Sequence, residues 1–132
     1  MKRVWFLLIL LPLLFTGCSS TVITLTTTVT KDSPVVPATG PQLELVSSSF
    51  DVTETNSMWW RYSWKITLRN NSNRVVTASA KLQWLNGSGY EVDTDNEYNI
   101  IITANSSETI TGSSLILLPQ ANTIDSLKIT IK

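Results

Sequence analysis

Three carboxylates at alternate positions, Asp93, Asp95 and Glu97, form the densest cluster of ionisable side chains in this 132-residue chain. Alternation along an extended backbone would point all three the same way, and oxygen ligands of this kind suit Ca²⁺. The cluster lacks the glycine and the bidentate glutamate of a recognised calcium loop, so the expectation is a solvated acidic loop with no metal and no cofactor. A glycosidase pair would need an enclosing cleft and a raised pKa on one carboxyl group. The chain has no histidine, which removes the commonest general base and metal ligand along with Ser-His and Cys-His pairs. No Gly-rich phosphate loop follows a strand, since Gly87 and Gly89 fit a hairpin turn. These absences argue against an enzyme.

Two features point to binding instead. Trp59 falls on the outward parity of its strand beside Arg61, where an indole can stack on a sugar ring or anchor a protein contact. Ile100-Ile101-Ile102 and Leu115-Ile116-Leu117-Leu118 are apolar on both parities, whereas one face of a sandwich strand is ordinarily wet. Ile101, Ile116 and Leu118 are therefore expected either to face a partner or to lie under the N-terminal segment.

The element that must position these groups runs from Trp59 to Arg69. Trp60, Tyr62, Trp64, Ile66 and Leu68 alternate with Arg61, Ser63, Lys65, Thr67 and Arg69, and a period of two gives one buried and one wet face of a strand. Each aromatic buries on the order of 150–250 Å², so this strand is expected at the centre of the core. Asn70-Asn71-Ser72-Asn73 follows as a turn. Val76, Ala78, Ala80, Leu82 and Trp84 then alternate with polar residues. A four-residue hairpin loop would turn this set outward, so the chain is expected to cross to a second sheet at the Asn-rich turn.

Leu43 and Leu45 mark a short first strand, separated from the central one by a polar stretch. Asn86-Gly87-Ser88-Gly89 and Asn105-Ser106-Ser107 are further turns, with the acidic loop of residues 93–97 between Val92 and Tyr98. Ile110, then Leu115 to Leu118, form strands that Pro119 stops, and Leu127, Ile129 and Ile131 share one face of the last strand. Short strands at this spacing predict a single all-β, Ig-like antiparallel sandwich of about seven strands over residues 43–132.

Ahead of it, Lys2 and Arg3 precede an uncharged run from Val4 to Phe15 that is too short to span a bilayer of ~30 Å comfortably. Pro12 argues against a buried helix. A secretory signal peptide over residues 1–17 is the expectation. Residues 18–42, rich in Ser, Thr and Pro, read as a tether, although Val22, Ile23, Leu25 and Val29 would also allow part of it to pair with the edge of the domain. Leu14-Phe15-Thr16-Gly17-Cys18 resembles the lipobox of bacterial lipoproteins. The resemblance implies cleavage between Gly17 and Cys18, a diacylglycerol on the Cys18 thiol, and anchorage to a membrane of the bacterial cell envelope on its extracytoplasmic side. Cys18 is the only cysteine, so no disulfide can form within the chain. Losing Lys2 and Arg3 leaves eight basic side chains against ten acidic ones, a net charge near −2, which offers nucleic acid no attracting field.

Leu82-Gln83-Trp84-Leu85-Asn86 followed by Gly89, together with Leu68-Arg69-Asn70-Asn71-Ser72, resembles the corresponding elements of small Ig-like FxLYD-type domains of bacterial surface proteins. Trp84, Leu85 and Asn86 stand where those domains carry Leu, Tyr and Asp. That resemblance implies an Ig-like fold and no catalysis. The function expected is a lipid-anchored module for protein interaction or envelope assembly with another envelope protein as its partner, and the alternative is a small-ligand or carbohydrate-binding module using Trp59.

Overall fold

A computed structural model describes residues 24–31, 38–40 and 42–132. The strand centred on Trp64 is β4, Trp59–Asn70, and it lies in the middle of the fold as its alternation requires. Tyr62, Trp64, Ile66 and Leu68 are buried, while Lys65 and Arg69 are exposed. The remaining strands are β1 (Leu25–Thr30), β2 (Ala38–Thr39), β3 (Leu43–Thr55), β5 (Val76–Asn86), β6 (Glu91–Ile102), β7 (Ser107–Leu117) and β8 (Ile124–Ile131). They form two antiparallel sheets, β2-β3-β4-β7 in front and β1-β8-β5-β6 behind. The protein is an all-β sandwich, and the chain crosses between sheets from β4 to β5, as the parity of Ala78 and Ala80 demands.

The strand order follows immunoglobulin ordering with one substitution. If β3, β4 and β7 are taken as strands A, B and E, then β5 and β8 are C and F, and β6 is C′. The place of the last strand, beside F, is filled by β1 from the N-terminal side. Leu25 pairs with Ile131 and Val29 with Leu127, and Leu25 and Val29 are buried. The boundary expected at residue 43 is thus corrected. Part of the segment read as a tether is a strand of the back sheet, because its β-branched residues alternate and complete an otherwise open edge. Residues 1–17 and the processing site at Gly17 and Cys18 lie outside the described residues, as do Val22 and Ile23.

Three further expectations are corrected. The strand that opens with Leu43 and Leu45 is not short; it continues to Thr55 through a bulge between Leu45 and Ser47 that reverses parity, so Ser48 and Phe50 face inward after Leu43 and Leu45. Residues 93–97 are not a loop but the middle of β6, paired with β5. The residues around Ile110 and Leu115 belong to one strand, β7, rather than two. The turn before it runs from Thr103 to Ser106, with Asn105 at a φ of 54°.

Side-chain hydrogen bonds tie the layers together. The indole of Trp64, on the front sheet, donates to Asp95 Oδ2 of β6 at 3.0 Å. That of Trp84, on the back sheet, donates to Ser114 Oγ of β7 at 3.2 Å. Tyr62 packs against Trp84 with ring centroids 5.1 Å apart and donates its hydroxyl hydrogen to the Ala121 carbonyl; burial raises its pKa and keeps it a donor. Asn70 is fully buried. Its amide nitrogen donates to the carbonyls of Arg74, Ile102 and Thr103, and its Oδ1 accepts from both the amide and the hydroxyl of Ser72. One side chain therefore fixes the turns at residues 71–74 and 103–106.

Candidate interaction surface

Trp59 owes its position to Asn56. The Asn56 carboxamide oxygen accepts from the amides of Met58 and Trp59, each at 2.8 Å, and closes the β3–β4 hairpin as an Asn side chain commonly does. Leu118 then donates its amide hydrogen to the Met58 carbonyl, so β4 and β7 are held in register to their ends. Trp59 lies opposite Leu117 and Arg61 opposite Leu115. Directly opposed residues of an antiparallel pair share a face, and here it is the solvent face, with Leu115 52% and Leu117 62% exposed.

Arg61 organises the polar border of this patch. Its guanidinium carbon sits 5.7 Å from the centroid of the Trp59 ring, and its Nε lies 3.3 Å from Glu54 Oε2. Trp59 is half-buried, with one ring face taken by Arg61. Beyond it the same sheet face holds an open groove of about 880 Å³ lined by hydroxyls and charges, including Ser49, Asp51, Ser63, Lys65 and Thr111.

The other expected surface residues separate. Ile101 is 61% exposed, but it belongs to β6 on the back sheet. Ile116 is 4% exposed and Leu118 is partly buried against the core, so neither is a surface residue and the three do not make one patch. The reason is register. Ile116 pairs with Trp60 and Ser114 with Tyr62, on the inward parity of β4. The apolar residues that β7 sends outward are Leu115 and Leu117. Their signal was present in the sequence as the doubly apolar run, but its parity depends on where the preceding turn ends.

The three carboxylates share one parity of β6, as alternation predicts, but that parity is the inward one. Asp93 and Asp95 pair with Trp84 and Leu82, which point inward, and Glu97 pairs with Ala80. Asp95 is engaged by the Trp64 indole. Among the described residues no group of three or more His, Cys, Asp or Glu side chains is placed to hold a metal ion. No helix among them is long and apolar enough to cross a membrane.

No protein-family model matches this sequence, and no curated protein matches it. Among solved structures, a beta-glucuronidase from glycoside hydrolase family 2 is similar with a TM-score of 0.51 and 15% sequence identity, over 56% of this chain and 8% of that one. At that identity the likeness concerns the fold alone, and this chain spans a small part of the enzyme's length.

Proposed function

We propose that the protein is a lipid-anchored, extracytoplasmic interaction module without catalytic activity, which presents the Trp59 end of the front sheet to another protein of the bacterial envelope. The observation that carries this reading is the pairing of Trp59 with Leu117 and of Arg61 with Leu115 on a solvent face. Large apolar side chains there contribute nothing to the core, and contiguous exposed patches of this type mark interaction sites. An aromatic and an arginine side by side are the residue types that dominate binding energy at protein interfaces.

Anchorage rests on the lipobox resemblance of Leu14 to Cys18 and places the surface close to the membrane. Because the sandwich begins at Leu25, the seven residues from Cys18 reach at most roughly 23 Å at ~3.3 Å each. The absence of histidine supports a non-catalytic role. A second reading, a carbohydrate or small-ligand module, is favoured by the groove on the same sheet face, lined by Ser49, Ser63, Thr111 and Ser113 among others; against it, Trp59 does not line that groove and Arg61 occupies one of its ring faces.

The test is crosslinking in intact envelopes with the full chain, its Leu117→Lys variant and its Lys128→Glu variant on the back sheet. A specific protein adduct lost with Leu117→Lys and retained with Lys128→Glu is expected. An identical adduct pattern for all three, or binding of soluble glycans that Leu117→Lys leaves unchanged, would replace this reading with the second. Cys18→Ser should abolish incorporation of labelled fatty acid, and continued incorporation would remove the anchor from the proposal.

A further inference from the structure

Sheet edges expose unpaired backbone groups, and folded proteins usually blunt them with bulges, charges, proline or brevity. Three of the edges here are treated in this way. β1 is six residues long. β6 carries two register irregularities against β5, a positive φ at Asn99, and Asp93 and Asp95 on its inward parity. β3, where β2 leaves it uncovered, has two bulges and bears Asp51 and Glu54. β7 has no bulge and no proline, and it is not short. It runs for 11 residues, Ser107–Leu117, in uninterrupted register with β4, and Glu108 is its one charged residue.

The direction of its free groups follows from one bond. The Leu118 amide points at the carbonyl of Met58, just before β4, and backbone groups alternate sides along an antiparallel strand. The even-numbered residues of β7 therefore face β4, and Thr109, Thr111, Ser113, Leu115 and Leu117 turn their N–H and C=O groups to the open edge. No strand among the described residues pairs with that side.

We propose that the occupant of this edge is a second copy of the chain, with β7 pairing antiparallel to its symmetry mate about a twofold axis at Ser113. This register matches edge-facing residues with edge-facing residues over the whole strand. Ser113 lies opposite itself, Thr111 opposite Leu115, and Thr109 opposite Leu117. The sole charge is accommodated, because the twofold sends the two Glu108 side chains to opposite ends of the joint. The two front sheets become one continuous antiparallel sheet, and each copy's Leu115 and Leu117 come to border its mate's Thr109 and Thr111 on the outer face. The inference stands on the edge alone and does not depend on the anchor or on the envelope partner.

The test uses full-length protein carrying one cysteine added to the native Cys18, which is common to the wild type and every variant, oxidised under mild conditions in envelope membranes and analysed without reductant. Ser113→Cys places two thiols on a directly opposed pair, about 5.5 Å between Cα atoms, within disulfide reach. Facing thiols react at a millimolar effective concentration, so at least about tenfold more covalent dimer is expected than for the wild type or for Thr77→Cys on the back sheet. Copies carrying Thr111→Cys and Leu115→Cys should crosslink to each other when coexpressed and neither should crosslink alone, which fixes the register. Ser113→Lys, which sets like charges opposite each other, should convert a two-chain species to a one-chain species in detergent without moving the thermal midpoint of the isolated chain. Equal crosslinking at positions 113 and 77, or a wild-type chain that sediments as a monomer, would overturn the proposal.

Discussion

The outer faces of the two sheets are built to different rules. On the back sheet, Thr26, Thr130, Lys81 and Asn96 form one row across β1, β8, β5 and β6, and Thr28, Lys128 and Gln83 begin the next. These are what a half-buried sheet presents to water. The front sheet obeys the same rule over Ser49, Lys65 and Thr111 and over Asp51, Ser63 and Ser113, then departs from it at one end with Trp59, Leu115 and Leu117. The back sheet also carries an exposed apolar residue, Ile101 of β6, 61% exposed, whereas on the front sheet Leu115 and Leu117 stand together with Trp59. The functional proposal rests on this apolar end of the front sheet.

The sharpest way to break the comparison is to place the same charge on adjacent residues of β7. Ile116→Lys buries an unpaired ammonium group and should cost about 4 kcal/mol or more, enough to unfold a small domain. Leu117→Lys, one residue along, should stay within about 0.5 kcal/mol. Urea midpoints measured for the two should differ widely; similar midpoints would mean that the parity assigned to β7 is wrong.

Gly112 probes the inner side of the same strand. A Cβ there would lie 2.3 Å from Trp64 Cζ2 and 2.6 Å from Cε2, and the ring is wedged in the core. Gly112→Val should destabilise by about 1–3 kcal/mol through overpacking, whereas Ser113→Val, on the outer face, should be close to neutral in the same melt.

A smaller effect is expected at the acidic strand. Asp95→Ala removes the acceptor of the Trp64 indole and should cost about 1–2 kcal/mol, the range for a donor left unpaired. Asp95→Asn keeps an acceptor and should recover most of that loss in the same denaturant titration. If the two variants melt together, the bond between the sheets is not what positions Asp95.

How far the sequence could be read depended on the range of the information needed. The alternation in β4, β5 and β8 survives because each strand's inward set is continuous and one sheet face has to be dry, so Trp64, Trp84 and Ile129 were placed by pattern alone. The bulge at Leu45 and Ser47 defeated the same reasoning in β3. One extra residue reverses every later side chain without changing composition. The charge of Asp93, Asp95 and Glu97 suggests a solvated loop, yet β6 pairs through them and Asp95 is satisfied by an indole from the other sheet.

The sequence by itself determined the all-β class, the buried face of the central strand, the crossing between sheets at the Asn-rich turn, and the residues from which a lipid anchor is inferred. These follow from local periodicity and from residue types whose chemistry does not depend on neighbours. Only the tertiary structure decided that Leu25–Thr30 completes the back sheet, that Ile116 is core while Leu115 and Leu117 are surface, and that Trp59 stands beside Leu117. Each of these is a matter of strand partner and register, set by contacts between residues far apart in the chain, and a period of two reads equally well in either phase until the partner strand selects one.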